Sequence, residues 1–83
     1  MKTHMSAEER KSLIFEISMA VAFKKGLFKF TIGDVAKKSQ CSRSTVKHYY
    51  GGIINLRNSI IEYGQIHRIS WIIETPITDL LND

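Results

Sequence analysis

Reinforcement is scarce in this chain: 83 residues hold one cysteine and one proline. A lone cysteine excludes an internal disulfide and any cysteine-rich zinc cluster. His4, His48 and His67 show no metal-ligand spacing among themselves or with Cys41, so no metal site is expected. No apolar run approaches the ~20 residues that cross a bilayer. The opening MKTHMSAEERK lacks the apolar centre of a signal peptide, so a cytoplasmic location is expected. Glycine-rich phosphate loops, nucleophile–base pairs and paired carboxylates in a plausible pocket are also missing, so neither enzyme nor cofactor is expected.

What is present is ordinary for one small globular domain: 43% hydrophobic and 24% charged residues, with a formal charge of +4. The pattern predicts an all-α bundle of four helices with a short fifth. Ser6 and Glu9 form a capping box opening the first helix, and Gly26 stops it. Its main buried stripe is expected to be Leu13, Ile14, Ile17, Ala20 and Val21, flanked by Phe15 and Phe23. Gly26-Leu27-Phe28-Lys29-Phe30 then turns the chain into the second helix, and its aromatics, Phe28 and Phe30, are expected to plug the base of the bundle.

Residues 31–50 read as two short helices joined by a tight turn. Thr31 can cap the first, whose Ile32, Val35 and Ala36 share one stripe. Ser39-Gln40-Cys41 gives the turn, with Cys41 as a small apolar packing residue, and Ser42 can cap the next helix. In that helix Val46 and Tyr50 are expected to be buried. Arg43, Ser44, Thr45, Lys47, His48 and Tyr49 then face outward, nearly all as hydrogen-bond donors. One narrow apolar edge and a donor-rich face suit a helix that enters the major groove of double-stranded DNA.

Charge follows the same division. Residues 24–50 hold seven basic groups (Lys24, Lys25, Lys29, Lys37, Lys38, Arg43, Lys47) against one acid, Asp34. Residues 51–83 hold Arg57 and Arg68 against Glu62, Glu74, Asp79 and Asp83. The basic excess would attract phosphates and release their counterions, with Lys29 and Lys37 as auxiliary phosphate contacts. Asp34 is expected either to pair with a lysine or to orient a DNA-contacting side chain.

The ungapped run Lys25-Gly26, Thr31-Ile32-Gly33-Asp34-Val35-Ala36 and Ser42-Arg43-Ser44-Thr45-Val46-Lys47-His48-Tyr49-Tyr50 resembles the amino-terminal module of TetR-type transcriptional regulators. The resemblance covers roughly residues 10–60. It implies a homeodomain-like three-helix head over 6–52, followed by a long helix. It also implies base contacts from Arg43, Ser44, Thr45 and Lys47, and phosphate contacts from Thr31 and Tyr49. Four positions depart from the family pattern. Gln40 replaces the usual turn glycine and must adopt a left-handed backbone. Lys47 replaces a tyrosine, Tyr49 a histidine, and Ile53 a backbone-gripping lysine. The family's long ligand-binding domain has no counterpart within 83 residues, so no small-molecule inducer site is expected.

Residues 53–83 are expected to form an oligomerisation element. Its long helix runs from about Asn55 to Glu74, and a short helix from Pro76 to Leu81 follows Thr75. Leu56, Ile60, Tyr63, His67 and Trp71 fall on one side of the long helix, suited to the head. Ile54, Ile61, Ile66, Ile69, Ile72 and Ile73 fan across the other. A surface helix ordinarily carries one stripe. The second is either covered by Ile77, Leu80 and Leu81 of the same chain or used in a two-fold homodimer. The expected dimer contact comprises Ile69, Ile72, Ile73, Leu80 and Leu81.

The expected function is therefore that of a small sequence-specific regulator, most simply a repressor binding inverted half-sites as a dimer. Its size would suit a phage or plasmid gene, and a protein partner could control its release from DNA. Two alternatives stay open: an accessory or architectural DNA-binding factor of a mobile element, and a protein-interaction module on the same fold.

Overall fold

A computed structural model describes residues 6–74 and is helical throughout, with no strand among them. Helix α1 spans Ala7–Lys25, α2 Ile32–Ser39, α3 Arg43–Tyr50, α4 Ile53–His67 and α5 Ser70–Ile73. The first is opened by the expected capping box: Ser6 Oγ accepts from Glu9 N, and Glu9 Oε1 accepts from Ser6 N. Gly26, at φ 111°, ends it in a backbone region that side chains rarely enter.

The buried stripe of α1 is rotated from the expected one. Ile14, Ser18, Val21 and Ala22 are buried, Ile17 is half-buried, and Leu13 and Ala20 are exposed. Ser18 was hidden from a hydrophobicity pattern because it is polar. Its hydroxyl donates to Ile14 O at 2.7 Å, satisfying the donor within the helix and letting the small side chain enter the core. Phe23 stays 65% exposed, its ring edge-on to Trp71 at 5.2 Å.

Around this stripe pack Val35 and Ala36 of α2, Val46 of α3, Leu56 and Ile60 of α4, and Ile72 of α5. Phe30 closes the base as expected, and Leu27 is buried beside it. Phe28 is half-buried beneath the Arg57 guanidinium, 5.0 Å from its ring centre, while Arg57 Nε donates to Leu27 O at 3.1 Å. That one side chain ties α4 to the α1–α2 connection through a hydrogen bond and a cation–π contact. Tyr50, half-buried, ties the end of α3 to α1 by donating to Lys11 O at 2.7 Å; burial pushes its phenol up to about 12.

The expected single helix over 55–74 is two helices. Arg68 takes a left-handed conformation (φ 56°, ψ 49°) and the amides of Arg68 and Ile69 both donate to Gly64 O. The Arg68 bond is that of a left-handed helix stop, and the Ile69 bond is the longer 6→1 bond that a Schellman stop also makes. The chain turns back, and α5 lays Ile72 against Gly64. Consequently the core stripe of α4 is Leu56, Ile60 and Gly64, while Tyr63 and His67 are exposed and stack on each other at 4.1 Å. Trp71 is half-buried.

The expected dimer set divides accordingly. Ile72, at 4% exposure, belongs to the core of its own chain and is withdrawn from the interface; its burial on α4 leaves no apolar face to offer. Ile69 is half-buried against the same core, whereas Ile73 and Ile66 are exposed. Leu80 and Leu81, with Ile77 and the Pro76–Leu81 helix, lie outside the described residues. No described helix is long and apolar enough to cross a membrane.

Candidate nucleic-acid interface

Local chemistry places α2 and α3. Thr31 Oγ1 accepts from Asp34 N at 3.1 Å, and Asp34 Oδ2 accepts from Thr31 N at 3.0 Å, a reciprocal box that satisfies two amides at the start of α2. The other carboxylate oxygen meets Lys25 Nζ at 3.0 Å. Asp34 therefore does the first of its two expected jobs, pairing with a lysine, and anchors α2 to the end of α1. The Lys25 hydrogen bond, reinforced by the Thr31 amide, holds the Asp34 carboxyl below its ordinary range.

At the turn, Gln40 adopts φ 59°, ψ 42°, the left-handed conformation expected of it. Cys41 N donates to Ala36 O at 3.0 Å, closing α2, and the Cys41 side chain is half-buried as a free thiol. A non-glycine residue in this region costs about 1–2 kcal/mol. Gln40→Gly is thus expected to stabilise the chain by about 1 kcal/mol, somewhat less than the full strain because glycine also loses more backbone entropy on folding. A thermal melt showing no rise in Tm would mean that the Gln40 side chain compensates elsewhere.

Ser42 caps α3, its Oγ accepting from Thr45 N at 3.1 Å and lying 3.0 Å from Thr45 Oγ1. Of the expected outward residues, Arg43, Ser44, Lys47 and His48 are exposed. Thr45 is half-buried and engaged with its cap. Tyr49 is half-buried against the core, its ring 5.1 Å from that of His48. Val46 is fully buried, and Tyr50 is only half-buried because its hydroxyl reaches across to α1. Ile53, where the resemblance would place a lysine, is half-buried and packs on the core instead.

Tertiary packing brings Thr31, Ile32, Gly33, Arg43 and Lys47 around one open concavity of about 420 Å³. Arg43 and Lys47, on successive turns of α3, thus face the first turn of α2. Lys37 lies elsewhere, in a larger concavity of about 760 Å³ lined by Val21, Lys24, Lys25, Asp34, Lys37, Lys38 and Gln40. The two lysine pairs, Lys24-Lys25 and Lys37-Lys38, converge there. Lys24, Lys25 and Lys38 contribute to the charge excess in the sequence but are not among the expected site residues. Their paired spacing was the available signal, and only the docking of α2 on α1 brings the pairs together. Lys29 is exposed and its stem lies beside Gly26.

The arrangement offers an exposed row of donors on α3, bordered by cations from three elements. Such a surface suits a partner with regularly spaced anionic groups and hydrogen-bonding edges. Comparison of the chain with protein-family models, with curated proteins and with solved structures finds no match in any of the three.

Proposed function

We propose that this protein is a sequence-specific regulator that binds double-stranded DNA through a TetR-like helix-turn-helix, with α3 in the major groove. The observation that carries this reading is the outer face of α3. Arg43, Ser44, Lys47 and His48 are exposed together, while Val46 is wholly buried and holds the helix to the domain. Side chains of this kind read base edges or fix the backbone, and the cations of α1 and α2 supply the sequence-independent attraction.

Selection from random duplexes, repeated at two salt concentrations, tests the proposal. If four phosphates are neutralised per head, log affinity falls with log salt at a slope of roughly −3.6. Raising salt from about 50 to 200 mM then weakens binding on the order of 10²-fold per head. Recovery of one preferred sequence together with that slope is the expected result. Salt-independent binding, or none, would transfer the α3 face to the protein-interaction reading.

One short helix reads only a few base pairs, so useful specificity asks for two heads related by symmetry, with half-sites about 34 Å or a small multiple apart. Ile66 and Ile73, exposed at the end of α4 and on α5, supply apolar surface for a homodimer now that Ile72 is committed to the core. In this reading the protein acts most simply as a repressor, by occluding the DNA it covers.

A further inference from the structure

Gly33 and Arg43 are coupled in a way that neither residue announces in sequence. A Cβ on Gly33 would lie 2.9 Å from Arg43 Nη2, 3.0 Å from Nε and 3.2 Å from Cζ. The guanidinium is therefore laid against α2 at Gly33, where there is no side chain to obstruct it. It shares its concavity with Lys47 and Thr31. Arg43 has no carboxylate partner among the described residues.

We infer that Gly33 is a positioning residue which lets Arg43 dock on α2, where Arg43 and Lys47 together clamp one DNA backbone phosphate, leaving base reading to Ser44 and His48. The inference rests on the proposed DNA-binding function and refines it. In helix-turn-helix docking the first helix of the pair crosses the phosphate backbone and the second enters the groove. A guanidinium held against α2 is directed to the former. Two cations in one concavity repel each other, and an anion between them converts that repulsion into attraction. A phosphodiester offers two oxygens to the planar fork of an arginine and a further contact to an ammonium. Ser44 and His48 are exposed on α3 and are absent from the residues lining this concavity, which frees both for base edges.

Gly33→Ala isolates the effect. The added methyl meets only the far end of a flexible side chain, so the guanidinium swings away and the helix keeps its backbone. The experiment measures affinity of the full chain for its selected duplex and for random duplex. It compares wild type, Gly33→Ala, Arg43→Ala, the double variant and His48→Ala, with thermal melts to confirm folding. Arg43→Ala should weaken both duplexes equally, by about tenfold, and flatten the salt slope by about one phosphate. Gly33→Ala should reproduce much of that loss, and add nothing in the Arg43→Ala background. His48→Ala should reduce the preference for the selected duplex while sparing the random one. An Arg43→Ala loss confined to the selected duplex overturns the clamp and makes Arg43 a base reader. A Gly33→Ala loss that persists without Arg43, or no loss at all, overturns the positioning role. A wild type that binds no duplex overturns both this inference and the proposed function, whereas the other failures leave the function standing.

Discussion

Ile72→Asp should strip α5 from the domain, while Ile73→Asp, one residue further on, should leave the fold as it is. Ile72 is 4% exposed and packs on Gly64; Ile73 is 52% exposed. Full burial of an isoleucine is worth about 1.5–3 kcal/mol. Carrying an unpaired carboxylate into the same space costs more than that, so the four-residue helix is expected to leave rather than bury the charge. A chain of this size has ~4–12 kcal/mol of stability in all. With each kcal/mol worth roughly 4–8 °C, Tm should fall by roughly 10–20 °C for Ile72→Asp. Trp71 fluorescence should shift to the red as its ring leaves Phe23. Ile73→Asp should change stability by no more than about 0.5 kcal/mol. If Ile73 lies in a dimer contact, sedimentation will show that variant as a folded monomer. Equal, small effects from both substitutions would mean that α5 does not pack as described.

Gly64→Ala is expected to destabilise the chain even though alanine is the better helix former. The replacement gains about 1 kcal/mol in helix propensity. Against this, the new Cβ would overlap Ile72 Cγ2 and lie 2.6 Å from its Cβ and 2.8 Å from its Cδ1. Overpacking of this kind costs about 1–3 kcal/mol. Rotating the Ile72 side chain cannot relieve it, because the Ile72 Cβ is itself one of the clashing atoms. The backbone of α5 has to lift, forfeiting the burial of Ile72 as well. Propensity therefore loses, and a net cost of about 2 kcal/mol is expected, again reported by Tm and by Trp71. Ile72→Ala should not rescue Gly64→Ala, since its Cβ remains. A stabilised Gly64→Ala would show that α4 and α5 stand further apart than described.

Both expectations concern the region where a hydrophobicity pattern misleads. Residues 53–74 carry apolar side chains so densely that a continuous helix with two stripes fits them, and Leu56 and Ile60 are common to either arrangement. The stop at Arg68 carries none of the usual signals, having neither glycine nor asparagine at the left-handed position and no proline within the next few residues. It forms because burying Ile72 and packing Trp71 on Phe23 offset the strain of that residue. Gly64 was the one trace of it in the sequence: a glycine inside a helical pattern costs stability unless another element needs its space.

Residue type and spacing were enough for most of the contacts between backbone groups and side chains a few residues apart. The Ser6–Glu9 box, the Thr31 and Ser42 caps, the left-handed Gln40 and the stop at Gly26 are of this kind. Each satisfies backbone groups within a single turn, so residue type and spacing suffice. The donor-rich face of α3 was legible for the same reason. Packing between elements settled which polar group could be buried, as with Ser18, and which apolar one was surplus, as with Leu13 and Ala20. It also decided that Ile72 belongs inside, that four lysines from two helices share a concavity, and that Arg43 rests on Gly33. These depend on what a neighbouring element presents across the contact, and spacing along one helix carries no record of that.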